Sequence, residues 1–315
     1  MWIEAIVTNY FNHHKISIMI SRKEFLKTSL FAASGMLVLP SLLTACADTK
    51  KKIGVQLYTV RDAMQKDPAG SLAKVAGIGY KEVEGATYTG TEMFYGMSAN
   101  DFKSLLQKNG LAMPSSHYML GAPVNGSSPK GTIMNDWEKA VEDAHTVGLE
   151  YMVCAYLMPD ERQTIDDYKK IAATFNQAGE TCKKAGIQFC YHNHNFEFEE
   201  MDGTLPYNIL LNETDKDLVK MEMDIYWVTK AGQKPIELFN ENPGRFPLWH
   251  VKDMDNTPKQ FFTEVGNGII DFKDIFKHVK EAGMKHFFVE QDECPGDPFD
   301  SITKSYQYIS KNLLS

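Results

Sequence analysis

A repeated change of period constrains this chain more than any other feature. Short runs rich in β-branched and aromatic residues alternate with longer stretches whose apolar positions recur at helical spacing. Strands are expected at Ile53–Tyr58, Tyr80–Glu84, Leu111–His117, Tyr151–Tyr156, Ile187–His192, Val219–Asp224, Phe246–Val251 and Phe287–Glu290. Helices are expected at Ala69–Ala76, Ala99–Lys108, Met134–Val147, Ile165–Ala185, Phe272–Ala282 and Ile302–Leu313. Strand followed by helix is the pattern of parallel βαβ units, and eight such units predict an α/β fold closed as a single (β/α)8 TIM barrel over residues 53–315. The helix ends carry matching punctuation. Gly77-Ile78-Gly79-Tyr80, Asn109-Gly110-Leu111, Val147-Gly148-Leu149, Ala185-Gly186-Ile187 and Ala282-Gly283-Met284 each put glycine where a left-handed residue closes a helix before a strand. The competing open, doubly wound sheet would carry a Gly-rich loop after an early strand. The run Gly266-Asn267-Gly268-Ile269-Ile270-Asp271 instead precedes a late helix and lacks a basic partner.

Residues 1–46 read as an address rather than as part of the barrel. Ser21-Arg22-Lys23-Glu24-Phe25-Leu26-Lys27 leads into an apolar stretch from Thr28 to Leu43, then Leu43-Thr44-Ala45-Cys46, which resembles a bacterial lipoprotein cleavage box. Arg22-Lys23 followed by Phe25-Leu26-Lys27 also resembles a twin-arginine export signal, with Met19 as the expected start. The apolar run, roughly 16 residues, is short for a membrane span of about 20. The expectation is an exported periplasmic or cell-surface lipoprotein, touching the membrane only through a lipid on Cys46, with residues 47–52 as tether. Without residues 1–46 the chain keeps 29 basic against 39 acidic side chains, a balance that disfavours nucleic acid as a partner. Cys154, Cys182, Cys190 and Cys294 show no CxxC spacing, and buried free thiols are expected. An oligomer is compatible with all of this.

In a barrel of this kind the working face lies at the C-terminal ends of the strands, and here those ends are polar. Glu84, His117, His192 with Asn193 and His194, Asp224, His250 with Lys252 and Asp253, and Glu290 with Gln291 close successive strands, while Gln56, Tyr58 and Arg61 flank the first. The last four strands are consecutive staves, so His192, Asp224, His250 and Glu290 are expected to converge on one divalent metal ion. Mixed imidazole and carboxylate ligands suit zinc, manganese, cobalt, nickel or magnesium.

The runs Gly54-Val55-Gln56-Leu57-Tyr58-Thr59-Val60-Arg61-Asp62, Tyr191-His192-Asn193-His194-Asn195-Phe196-Glu197-Phe198, Met223-Asp224-Ile225-Tyr226-Trp227, His250-Val251-Lys252-Asp253 and Val289-Glu290 together resemble the sugar phosphate isomerase/epimerase group of xylose isomerase-like barrels. Tagatose epimerase and inosose dehydratase are similar to that group. The resemblance implies a metal held by Glu, Asp, His and Glu, the two glutamates serving as acid and base on opposite faces of a sugar. Asp224, His250 and Glu290 match the last three of these ligands, whereas His192, or His194 beside it, stands where the first glutamate would.

A metal gripping a carbonyl and its neighbouring hydroxyl stabilises the enediolate left when the adjacent proton is removed. Glu290 is the expected base, with His194 or Glu197 as second acid/base and Lys252 against the developing oxyanion. Glu84, His117 and Arg61 are expected on sugar hydroxyls, and Trp227 and Tyr58 as an apolar wall. A metal-dependent isomerase or epimerase follows. A lyase opening 3-keto-glycosides by β-elimination and a non-catalytic carbohydrate-binding lipoprotein are the alternatives. Export favours an unphosphorylated or oxidised sugar, and no phosphate cradle is evident; a metal-dependent endonuclease is disfavoured by the acidic charge.

Overall fold

The structure, a computed structural model, describes residues 52–122 and 128–315. The expected export segment 1–46, its Cys46 lipid site and residues 47–51 of the tether lie outside the described residues. Eight parallel strands close into a barrel: β1 (Gly54–Gln56), β2 (Glu82–Gly85), β3 (Ala112–Tyr118), β4 (Tyr151–Cys154), β5 (Gln188–His192), β6 (Val219–Asp224), β7 (Leu248–Val251) and β10 (His286–Val289). Every neighbouring pair is parallel, and β10 joins β1 through Gly54 opposite Phe288 and Val55 opposite Val289. A two-stranded hairpin, β8 (Asp253–Met254) with β9 (Phe262–Thr263), stands above the end of β7.

Each expected strand is present, Val219–Asp224 with its expected bounds and the others with ends moved by at most two residues. The largest change is at β1, which stops at Gln56. There the Gln56 side chain accepts the Tyr58 N–H and turns the chain into a 3₁₀ segment, Leu57–Val60. Ala99–Lys108 is a helix as expected, Ile165–Lys184 nearly so, and Pro68–Ile78, Trp137–Val147 and Pro298–Asn312 shift their starts. The expected helix Phe272–Ala282 is interrupted by a 3₁₀ turn at Phe276–His278. Four short helices were not anticipated: Arg61–Lys66, Pro206–Asn212, Ile225–Lys230 and Pro235–Glu241. They are six or seven residues long, too short to display a full amphipathic stripe. Among the described residues no helix is long and apolar enough to cross a membrane.

Side chains alternate between lumen and helix layer with the two-residue period of a strand. On the outer side Phe175 meets Phe189 and Tyr191, and Phe239 stacks on Trp249 at 4.9 Å. The lumen is layered. Near its N-terminal end His286 Nδ1 lies 2.8 Å from Glu82. Above these, Val153, Cys190, Leu248 and Phe288 form a separate buried apolar cluster. Gly54 belongs to this plug, because a Cβ there would fall 2.5 Å from the Phe288 ring and 2.8 Å from the Phe287 carbonyl oxygen. Higher still the lumen turns polar, where the strands end. Cys154, Cys182 and Cys190 are buried free thiols as expected, while Cys294 is half-buried.

Candidate metal and acid/base centre

Strand alternation puts Glu84, His117, His192, Glu222 and His250 on the lumen side, with Asp224, Lys252 and Glu290 one step nearer the mouth. All are buried. Glu84 is held by neutral donors, from Gln56 Nε2 at 2.9 Å and Ser115 Oγ at 2.5 Å, and its Oε2 lies 2.5 Å from His250 Nε2. Glu222 Oε2 is the meeting point of three rings: His117 Nε2 at 2.7 Å, His192 Nδ1 at 3.0 Å and His250 Nε2 at 3.3 Å. On its other side His250 presents Nδ1 to Glu290 Oε2 at 2.8 Å. Lys252 Nζ stands among three carboxylates, 3.0 Å from Asp224, 2.8 Å from Glu290 and 2.6 Å from Asp292.

Local structure fixes these orientations. Asp224 ends β6 and caps the helix Ile225–Lys230, its Oδ1 accepting the Trp227 N–H at 2.9 Å while Oδ2 faces Lys252. The same cap sets Trp227, which with Phe262 roofs the Lys252 ammonium at 5.6 Å. Asp253, next in the chain, points away. Its carboxylate accepts N–H groups of Met254, Gly266, Gly268 and Ile270, so the Gly266–Asp271 run serves to wrap one acid. Gly268 is required there, since a Cβ would meet Asp253 Oδ1 at 2.2 Å.

Charge in the cluster is shared with protons. Burial and the neighbouring Glu84 push the Glu222 carboxyl up to about 7. Burial opposes ionisation of Glu84 as well, but His117 and His250 outweigh it and hold Glu84 down to about 2. His250 loses solvation, yet Glu222, Glu290 and Glu84 together raise it well above the ordinary imidazole range. His192 is driven well below that range by burial and by His250. For Lys252, burial is overcome by Asp224, Asp292 and Glu290, which keep it charged. Glu290 is likewise buried, but Lys252 and His250 hold it well below the carboxylate range. These are the signs expected when opposite charges meet in a low-dielectric interior.

His192, Asp224, His250 and Glu290 are all brought together, but they divide between two donor sets: His117, His192, Glu222 and His250, and Asp224, His250 and Glu290. Within each set the donor atoms lie within 4.8 Å of one another. His117 and Glu84, expected on sugar hydroxyls, lie in the deep part of the cluster. Sequence reasoning did not select Glu222 or Asp292. Each stands two residues from a selected acid: Glu222 shares a face of β6 with Asp224, and Asp292 follows Glu290 in the segment after β10.

His194 sits at the mouth, T-shaped to Tyr156 at 4.8 Å and stacked on Phe196 at 5.5 Å, with its Nδ1 lacking a partner. Burial and Lys252 lower it to about 3, so it is neutral. Glu197 is turned toward the helix layer: its carboxylate accepts from the Tyr191 hydroxyl and, at 2.8 Å, from the His194 N–H. Arg61 spends its Nη1 on the carbonyls of Tyr58 at 3.0 Å and Asp292 at 2.9 Å, and it covers the exposed Tyr58 ring at 4.3 Å. A cavity of about 280 Å³ beside it is lined by Thr59, Asp292 and Cys294, and another of about 330 Å³ by Gln65, Thr87 and Tyr95.

A family model described as the xylose isomerase-like TIM barrel matches residues 72–311. Among solved structures, a sugar phosphate isomerase/epimerase from Parabacteroides distasonis is 29% identical, with a TM-score of 0.72 over 86% of this chain and 97% of its own. An IolI protein with a bound zinc atom is 16% identical, with a TM-score of 0.63 over 82% of this chain and 95% of its own, a likeness of fold alone. An inosose dehydratase from Lacticaseibacillus casei is 26% identical over 169 residues, 48% of this chain and 56% of that protein. The chain therefore spans about half the length of the curated relative it matches.

Proposed function

The chain belongs to the xylose isomerase-like TIM barrel family, and on that premise we propose that it is a divalent-metal-dependent isomerase or epimerase that moves the proton beside the carbonyl of a keto-sugar. One observation carries this reading: five buried or largely buried carboxylates gather in one cluster with a single ammonium, three of them (Asp224, Glu290 and Asp292) around Lys252 and two (Glu84 and Glu222) among the rings of His117, His192 and His250. Buried acid in such excess calls for a further cation. Imidazole beside carboxylate fits zinc, manganese, cobalt or nickel better than the all-oxygen shell preferred by magnesium. When bound, the ion would supply Lewis-acid stabilisation to the oxygens of an enediolate.

The protein's own groups do the rest. Glu290, ionised beneath the mouth, removes the proton. Lys252, already aimed at Glu290 and Asp224, donates to the developing oxyanion. His194, neutral and with a free ring nitrogen, exchanges a proton from the opposite wall. Glu197 acts on it as a positioning residue through the His194 N–H. Trp227 and Tyr156 offer ring surface to the apolar side of a sugar, Phe196 being covered by Arg162 and His194, and Trp227 Nε1 is a buried donor without a partner.

A second reading, β-elimination from a keto-glycoside or cyclic ketone, is favoured by the unlike flanks of the mouth, carboxylate on one side and imidazole on the other, and by the dehydratase among the relatives. Both reactions begin with the same proton abstraction. The N-terminal sequence supports an exported, lipid-anchored enzyme meeting unphosphorylated substrates.

Incubating the zinc- or manganese-loaded chain with ketoses and 3-keto-glycosides in D2O tests this by NMR. Deuterium entering beside the carbonyl is expected, together with an epimer or isomer, or with an unsaturated product if elimination follows. Glu290→Gln is expected to slow the exchange by roughly 10²–10⁴-fold while leaving bound metal in place. Absence of exchange on every such substrate would leave a carbohydrate-binding barrel.

A further inference from the structure

From the geometry we infer that the metal site is the deeper donor set, His117, His192, Glu222 and His250, and that Lys252 is a tethered ammonium occupying the outer cation position between Asp224, Glu290 and Asp292. This rests on reading the cluster as a metal centre, and it departs from the ligand set His192, Asp224, His250 and Glu290 expected from sequence.

His250 faces both sets with opposite nitrogens. Its Nδ1 lies 2.8 Å from Glu290 and 4.0 Å from Asp224, and its Nε2 lies 3.3 Å from Glu222. On the outer side a cation is already present. Lys252 is 1% exposed, and its Nζ approaches three carboxylate oxygens at 2.6–3.0 Å. A divalent ion shared by Asp224 and Glu290 would have to displace that ammonium or lie against it in a low-dielectric interior, where like charges repel strongly.

The deeper set holds no such competitor. Its four groups are three imidazoles and one carboxylate, and Glu222 Oε2 stands 2.7, 3.0 and 3.3 Å from the nitrogens of His117, His192 and His250. A four-coordinate ion with bonds near 2.0–2.1 Å needs donors about 3.3 Å apart, close to the three distances from Glu222, and all four donor atoms lie within 4.8 Å of one another. Glu222 Oε1 is fully buried and has no hydrogen-bond partner. The surroundings are also those of a ligand sphere. A His250 bound through Nε2 would keep Nδ1–H for Glu290, the carboxylate–histidine arrangement that orients metal-bound imidazoles. Glu84, fixed by Gln56 and Ser115, brings a negative charge to the edge of the set, its Oε2 2.5 Å from His250 Nε2 and 3.4 Å from His117 Nε2, and His250 exchanges that contact for the ion when it binds. The ion is thereby recessed below the mouth, and Lys252 is the cation that substrate meets first.

Zinc K-edge absorption fine structure on the wild-type chain loaded with one equivalent of zinc tests the assignment without any substitution. Three imidazoles in the first shell are expected; one or two imidazoles with carboxylate oxygens making up the rest would overturn it. As a second measurement, zinc affinity is read by competition with a chromophoric chelator, and folding of each variant is checked by circular dichroism. Glu222→Gln and His117→Ala are expected to weaken binding at least 100-fold. Asp224→Asn, which keeps an oxygen to cap the Trp227 N–H, is expected to stay within a few-fold of wild type. The reverse order sinks this assignment and leaves the proposed reaction standing. A wild-type chain that binds no zinc, manganese or cobalt sinks both.

Discussion

At the scale of single residues, proximity in sequence and proximity in space part company. Glu197 lies five positions past His192, yet the 3₁₀ turn Phe196–Phe198 carries its carboxylate out to Tyr191, where burial raises it to about 7. Glu222, which the deeper site needs, was legible in principle: Val219-Lys220-Met221-Glu222-Met223-Asp224 puts Glu222 and Asp224 on one face by alternation alone. It stands two positions inside the strand, away from the polar strand end that marks the working face. Arg61 could not be placed from sequence at all, since the carbonyl of Asp292 that it holds lies 231 positions away. Replacing Glu197 with alanine strips acceptors from the Tyr191 hydroxyl and the His194 N–H. A loss of about 1–3 kcal/mol in urea unfolding is expected, with slower proton exchange on substrate but undiminished zinc uptake. Equal stability of variant and wild type would show that these hydrogen bonds contribute nothing.

At the scale of elements, strong local signals were read correctly and tertiary ones were not. Ile165–Lys184 carries its boundaries in plain view. Thr164 and Asp167 form a capping box, Asp166 and Asp167 sit in the first turn, and Lys183 and Lys184 in the last. The stretch from Phe272 to Ala282 has the same helical period, but it breaks at Phe276–His278, where Phe276 turns edge-on between Trp249 and Phe287. The last helix, Pro298–Asn312, is tied to the loop after β9 by Glu264, which accepts from Lys304 Nζ at 2.8 Å, Ser301 Oγ at 3.2 Å and Asn267 Nδ2 at 3.1 Å. Burial works against this carboxylate, but Lys304 and its other donors hold it down to about 2 from the usual 4.5. A pKa lowered on folding adds stability above the unfolded value, and that stability drains away as pH falls from about 4.5 toward 2. Glu264→Gln is therefore expected to cost about 1 kcal/mol at neutral pH, a gap that closes through that window in acid titrations of unfolding. A gap constant down to pH 2 would mean that Glu264 stabilises through packing rather than charge.

At the scale of the whole molecule, the eightfold alternation of strand and helix was enough to read the barrel, because each unit declares itself locally. Closure is what converts a list of polar strand ends into a centre, and closure also decided which acids face which rings. In the proposed metal centre, binding of the ion would be coupled to protons. His250 is raised well above the ordinary imidazole range by Glu222, Glu290 and Glu84, and His117 is raised by Glu84 and Glu222, although burial alone would lower both. Zinc binding must expel protons from such ligands. Calorimetry in buffers of different ionisation enthalpy is expected to show at least one proton released per zinc at pH 7, affinity that rises with pH, and a higher unfolding midpoint in the loaded chain. Binding indifferent to buffer and pH would place the ion on groups that are already deprotonated.

The apolar plug of Val153, Cys190, Leu248 and Phe288, seated against Gly54, has a kinetic meaning. It makes the lumen a blind well. Among the described residues the way to the polar layer is from the C-terminal mouth, so in the proposed reaction product would have to back out before the next reactant could enter. A bulky aglycone or a bound inhibitor at the rim would then block departure as effectively as arrival.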